Sequence, residues 1–379
     1  MRAESKPDHS RGARRALATS RARTLIAIGA ALTALCYAAR GSAQPLVEAR
    51  ARAAAYHDSD FTTVTTLGAR GLLEFPEVVR VTGAYLADVV STASVDVVSA
   101  ATGRWHETRH EATGEVTAFI EDLALSGAYR YSIENDWKSH TIGAGAVLEL
   151  FEKNTELGVS GSLAQNQVGR ASDPTFSEAL NSYGYEVTAS QLLDPRTILA
   201  LAYSGSYSLG FQSSPYRFVS TSDRRFTFLE RHPDARLRHA AAVELTRYLF
   251  AATSGSAKYR FYADDWGVVG YTGELRLMTD VIEFLSVAVR ERVYLQKGAS
   301  FYRSSYDQPR RYMSVDRELS TFWDSFSGAE LLLELDNIGP FRRIGADVSF
   351  DFFYFRFQDY PLLDQRTGVF VAGGLMGAL

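Results

Sequence analysis

Cysteine is almost absent: Cys36 is the single one in 379 residues. It falls in an N-terminal stretch read below as a removable leader, so the exported chain has no thiol, no disulfide and no cysteine metal site. A small disulfide-stapled scaffold is thereby excluded. Past the leader no apolar run reaches the ~20 residues that a transmembrane helix needs. A convincing amphipathic helix is lacking too. So is any basic run in the mature part, and with a net charge of -4 nucleic-acid binding has no support.

The chain opens MRAESKPDHSRGARRALATSRAR, basic and polar, followed by the short apolar TLIAIGAALTALCYAA and then RGSAQP. This pattern is a secretory signal peptide with a long n-region, residues 1–43, with cleavage expected after Ala43. The rival is a membrane-anchoring helix, and the apolar run is too short for it. Leu35 before Cys36 counts against a lipoprotein signal, and a pair such as Arg14–Arg15 arises readily in an arginine-rich n-region. Residues 44–379 are expected to form a single domain.

What fills that domain is alternation with period two. In RTILALAYSGSYSL, Leu199, Leu201, Tyr203, Tyr207 and Leu209 share one face, and Ala200, Ala202, Ser204, Ser206 and Ser208 share the other. EDLALSGAYRYSIE, NTELGVSGSLAQN, YTGELRLMTD, IEFLSVAVRERVYLQ and RRIGADVSFDFFYF behave alike. A soluble β-sandwich alternates as well, but three features favour a transmembrane barrel. The segments exceed the ~5–6 residues of ordinary strands and match the ~9–11 of a tilted membrane strand. The polar face carries charge at mid-strand: Arg80, Arg130, Glu149, Glu156, Arg260, Glu274, Arg276, Arg290, Arg292 and Asp347. The connections also sort by length.

With strands near 45–56, 62–74, 77–90, 105–119, 121–134, 137–151, 154–166, 179–192, 196–210, 236–249, 255–265, 267–279, 281–296, 319–334, 341–357 and 366–379, every long loop (91–104, 167–178, 211–235, 297–318) lies at one end. The other end holds tight turns at FPE, EKN, LDP and Asp280. Long loops outside and short turns inside is the outer-membrane rule. The expected fold is all-β: an antiparallel up-and-down barrel of about sixteen strands, with fourteen the alternative. Trp105, Trp137, Trp266 and Trp323 fall near the outer strand ends, as an interfacial aromatic girdle would.

HETRH, His106 to His110, matches H-E-x-x-H, by which helical metalloproteases bind zinc. That chemistry needs both imidazoles on one helix face. On a strand they stand roughly 13 Å apart with Glu107 on the opposite side. The register of Val116, Ala118 and Ile120 puts His106 and His110 outward and Glu107, Arg109, Glu111 and Glu115 inward. The motif is read as a chance match, and no catalytic residue and no metal site is assigned.

The stretches DVVSTASVDVVSAAT, YSIENDW, SSPYRFV with ERHPDARLRH, YRFYADDWG and KGASFY, in this order from about Asp88 to Tyr302, resemble a domain-of-unknown-function (DUF) family of bacterial outer-membrane proteins. The resemblance implies a signal-peptide-bearing β-barrel and no particular activity. One departure concerns barrels in general: outer-membrane strands commonly end the chain on an aromatic, and this chain ends on Leu379.

Three functions fit. The first is a channel or transporter for a small solute, with the charged residues listed above lining the lumen and Arg217, Arg224, Arg225 and Arg231 forming a loop that favours anions if it folds inward. Against that, these arginines pair with lipopolysaccharide phosphates or with acids such as Asp223 and Glu230. The second is a non-conducting barrel that docks a periplasmic or surface partner through its long loops. The third is an outer-membrane enzyme with a loop-borne site. His57, His106, His110, His140 and His232 share the outer end, and Asp264–Asp265 could take calcium or simply build a turn. No cofactor is expected. The expected surroundings are outer-membrane lipid, lipopolysaccharide and the outer-membrane assembly machinery.

Overall fold

The computed structural model describes residues 44–92, 105–223, 225–250 and 252–379. The side chains of Trp105 and His106, and Arg224, lie outside the described set, as does most of the 91–104 loop.

Sixteen long antiparallel strands close into one barrel. They are β1 (Leu46–Asp58), β2 (Thr62–Phe75), β3 (Val79–Thr92), β4 (Trp105–Ile120), β5 (Leu123–Ile133), β6 (Trp137–Leu150), β7 (Thr155–Gly169), β8 (Ser177–Asp194) and β9 (Thr197–Gly210). Two short strands, β10 (Phe218–Ser220) and β11 (Thr227–Leu229), pair with each other in the next loop and stay outside the barrel. The wall resumes with β12 (Ala235–Phe250), β13 (Thr253–Asp264), β14 (Val269–Ile282), β15 (Leu285–Lys297), β16 (Phe322–Ile338), β17 (Phe341–Phe357) and β18 (Gln365–Ala378). β18 closes on β1 from Glu48↔Ala378 to Asp58↔Gly368, and the Leu379 amide donates to the Val47 carbonyl at 2.9 Å. With the barrel closed, no strand of its wall is left with a free edge to template aggregation.

All sixteen expected strands are present, with ends displaced by no more than four residues. The alternation was legible because one register holds along each strand. One turn is corrected. Asp280 sits inside β14, where the register shifts between Asp280 and Ile282, and the reversal falls at 283–284. The Asp280 carboxylate accepts from Ser286 Oγ at 2.6 Å, so it ties two strands together and does not make the turn.

The outer face is apolar. On β5, Leu125 and Tyr129 are exposed, while Ser126, Ala128 and Arg130 between them line interior cavities. The same split holds for β14, with Tyr271, Leu275 and Leu277 outside. At the short-turn end the strand termini carry large apolar side chains, among them Ile120, Phe151, Leu193, Phe250, Phe284 and Ile338. At the long-loop end there is a belt of tyrosines. Three of these bond across strands to histidines: Tyr85 to His110 Nδ1 at 2.7 Å, Tyr129 to His140 Nδ1 at 2.7 Å and Tyr203 to His239 Nδ1 at 2.8 Å. Among the described residues no helix is long and apolar enough to cross a membrane.

Candidate functional site: a capped chamber in a one-sided lumen

The inward-facing side chains divide the lumen into two unlike halves. From β15 round to β1 it is the more tightly packed, with a cavity of only about 120 Å³ bordered by Arg52, Arg276, Arg290 and Asp351. Phe353 is fully buried and stacks between Tyr56 and Phe326, both rings 5.2 Å away. Guanidiniums lie on this aromatic wall: Arg292 over Phe326 at 4.2 Å and Arg366 over Phe355 at 4.3 Å. Such stacking is favourable where water is scarce.

The charges expected to line the lumen lie on the inward side, and most of them here are spent on one another. Arg276 meets Glu330 at 2.9 Å, Arg290 meets Asp351 at 2.7 Å and Arg292 meets Asp324 at 2.7 Å. Asp347 faces Arg52 at 3.8 Å. Nearer the short-turn end Arg80 meets Glu74 at 2.6 Å and lies over Phe119, while Glu149 holds Lys153 at 2.8 Å.

The opposite wall, β5 to β9, is built from small residues. Ser126, Gly143, Gly145, Ser160, Ser162, Gly184, Ser204 and Ser206 border a cavity of about 500 Å³. Arg260 and Glu186 reach it as well. Arg238 is shared with a second cavity of about 890 Å³ nearer the long loops.

A cap covers that upper chamber. The 211–234 and 298–321 segments, read from the sequence as the long outer loops 211–235 and 297–318, are knitted together. Arg231 and Met313 exchange backbone hydrogen bonds at 3.0 and 2.9 Å, and the Ser222 amide donates to the Tyr306 carbonyl at 2.8 Å. Val219, Tyr306 and Met313 form a small apolar core. Beneath it the Glu230 side chain has 0% exposure. It accepts from Ser314 Oγ at 2.5 Å and lies 3.2 Å from Arg217, which also meets Asp316 at 2.8 Å. The cap is pinned to both rims. On one side Arg317 pairs with Asp60, and on the other the Tyr216 hydroxyl bonds Asp136.

The arginine loop therefore folds into the cap, and two of its arginines are paired with acids: Arg217 as above, and Arg225 with Asp223 at 3.4 Å. Arg231 is exposed and held through its backbone, which leaves its charge in place. Pairing with Glu230 and Asp223 is the alternative anticipated from the sequence.

The tryptophan girdle needs correction. Trp266 is buried in the cap base, with Arg236 stacked on it at 4.2 Å, and Trp137 lines the upper chamber. Trp323 packs on Tyr354 at 5.3 Å. Strand-end position alone cannot separate an outward aromatic from one turned under a cap. His232 is likewise interior. Its Nδ1 lies 2.9 Å from the Gln212 carbonyl oxygen, an acceptor, so that nitrogen carries the hydrogen.

Asp264 and Asp265 are used by the fold. Asp264 accepts from the amides of Trp266 and Val268 at 3.1 and 2.9 Å and pairs with Arg236, and Asp265 accepts from the Leu237 amide at 3.0 Å.

HETRH lies on β4, so its histidines cannot share an ion with helical geometry. His110 is exposed on Tyr85, while Glu107 lines the chamber. There one oxygen each from Glu107, Glu134 and Asp136 lie within 4.8 Å of one another. Burial pushes the Glu134 carboxyl above its usual range, with Arg109 opposing and Asp136 adding to the rise. The sequence reading missed this cluster. YSIENDW held two of its members, and inward parity on β4 gave the third.

The family described as a protein of unknown function (DUF3570) matches residues 84–176 and 170–337, which include the cap and the small-residue wall. No curated protein matches the chain in sequence. Among solved structures, a bacterial polysaccharide outer membrane secretin is 9% identical and covers 88% of this chain and 98% of its own, with a TM-score of 0.52. Two Pseudomonas aeruginosa barrels, OccK1 (OpdK) and OprD, are each 8% identical with TM-scores of 0.45. They cover 89% of this chain and 98% and 96% of their own chains. The fold is thus that of outer-membrane β-barrels, and the chain belongs to the DUF3570 family.

Proposed function

We propose that the protein sits in the bacterial outer membrane, after removal of residues 1–43, and passes small solutes through the β5–β9 side of its lumen. The apolar outer face between two belts supports the location, since such a surface on a soluble monomer would associate. The tyrosine–histidine belt with its long loops faces outside, and the short turns face the periplasm.

The observation that carries the channel reading is the pair of cavities along the small-residue wall, both bordered by Arg238. Glycine and serine leave space there that phenylalanine fills opposite. Three arginines on this path, Arg130, Arg238 and Arg260, have no acid at ion-pair distance among the described residues, unlike those of the filled half. Uncompensated guanidiniums favour anions.

Single-channel recording on the refolded mature barrel tests the reading, with reversal potentials in a salt gradient. Discrete steps with anion preference are expected. A silent barrel that is heat-modifiable, and so folded, would overturn it. The cap favours a second reading, a non-conducting barrel that presents the joined loops to a partner. Silence together with co-purification of a partner would establish that one.

A further inference from the structure

We infer that the capped chamber is a binding site for a small organic monoanion: a carboxylate head on a ring-sized body. The inference rests on the channel reading only in placing the chamber on the solute path.

Four arginines border the chamber, and they are not equivalent. Arg217 is committed to Glu230 and Asp316, and Arg236 to Asp264 and the face of Trp266. Arg130 has no acid at ion-pair distance among the described residues, and Arg238 bonds neutral hydroxyls, Ser208 at 3.2 Å and Tyr262. Two guanidiniums therefore border the chamber with most of their donors unused. Each is a planar fork that matches a carboxylate.

The rest of the chamber supplies a body for that head. Trp137, Phe211 and Leu180 are apolar or aromatic, and Ser139, Asn166 and Ser182 offer hydroxyl and amide groups. A volume of about 890 Å³ falls in the range of small-molecule sites. The carboxylates of Glu107, Glu134 and Asp136 on the same wall set the charge of the ligand. A second negative group on the ligand would face them, which selects one anionic head.

Titration of the full mature barrel in detergent tests this, reading tryptophan fluorescence, because Trp137 and Trp266 both border the chamber. The probes are benzoate and glucuronate as ring monoanions, benzamide and glucose as their neutral counterparts, and phthalate as a dianion. Saturable quenching by one or both monoanions is expected, and which one answers tells an aromatic from a sugar body. Arg238→Gln and Arg130→Gln should each weaken that binding about tenfold. Arg225→Gln, which removes an exposed arginine of the cap, should leave it unchanged.

Equal quenching by benzamide or glucose would overturn the proposal, as would undiminished binding in the folded double variant Arg130→Gln/Arg238→Gln. Conductance in the same preparation separates the two readings. Saturable binding by a silent barrel sinks the channel and keeps the site. Conduction with no saturable binding sinks the site and keeps the channel.

Discussion

Arg290 reaches Asp351 across an intervening strand, at 2.7 Å, over a residue that has no side chain. Gly328 of β16 pairs with Arg290 on one side and Asp351 on the other. A Cβ at Gly328 would stand 2.1 Å from Asp351 Oδ1 and 2.9 Å from Arg290 Nε. The barrel repeats the device at its seam, where Gly374 lies between Arg52 and Asp347, with a would-be Cβ 2.5 Å from Asp347 Oδ1. In both places the glycine is a gap through which two charges meet inside the wall. Gly328→Ala should therefore part the pair and cost about 1–3 kcal/mol, the usual penalty for overfilling a packed site. Urea unfolding of the barrel in lipid vesicles reads this out, and an unchanged midpoint would show that the pair adjusts freely.

Phe353 anchors the filled half of the lumen, and its packing also depends on a glycine. It faces Gly368 on the neighbouring strand, where a Cβ would lie 2.2 Å from its ring. Phe353→Ala removes a fully buried ring from between Tyr56 and Phe326. The expected loss is about 3–5 kcal/mol. If this half is solid, the variant also gains conductance as the void joins the open side. Lower stability with unchanged conductance would mean that the aromatic wall supports the barrel without bounding the path.

The barrel was legible in the sequence for a simple reason: each strand keeps one register for ten residues or more, so the period accumulates. The cap was not legible. Its stability comes from pairs far apart in the chain, such as Arg217 with Asp316 and Ser314 with Glu230, and no period marks them. The acid cluster stands between these cases. Glu134 and Asp136 are close in sequence, but their meeting with Glu107 needs the β4–β5–β6 order, which only the assembled wall supplies. The HETRH stretch shows how backbone decides chemistry. On β4 His110 stays on the outer face against Tyr85, while Glu107 reaches the chamber and Arg109 pairs with Asp88.

The cap should respond to acid through Glu230. Burial would raise the carboxyl's pKa, but the neighbouring His232, the charge of Arg217 and the bond from Ser314 outweigh it and hold the group below its usual range. Asp316 shares Arg217 from the other side, so the pocket carries two acids on one guanidinium beside His232. A lowered folded-state value means that ionised Glu230 stabilises the cap above the unfolded value, and that this is lost as pH falls through the folded one. Protection from hydrogen exchange in 218–229, relative to the intrinsic rate at each pH, should therefore fall on acidification past the ordinary carboxylate range. Glu230→Gln should show fast exchange at neutral pH and lose the step. A step that persists in the glutamine variant would place the switch elsewhere.

Selectivity should follow Arg238, because among the described residues it alone borders both cavities and its bonds are to neutral hydroxyls. Arg236, two residues away on the same strand, is neutralised by Asp264 and so cannot replace it. Arg238→Glu converts an open positive charge into a negative one on a path that already carries Glu186. The reversal potential in a salt gradient should then change sign, from anion-selective to cation-selective, with strands and heat-modifiability retained. The effect should shrink in concentrated salt, where the screening length falls to about 3 Å at 1 M. Arg290→Glu is the contrast. Its charge is spent on Asp351 in the filled half, so it should cost stability and leave the reversal potential where it was. Equal shifts from the two variants would show that solutes sense the summed interior charge, and the one-sided path would fall.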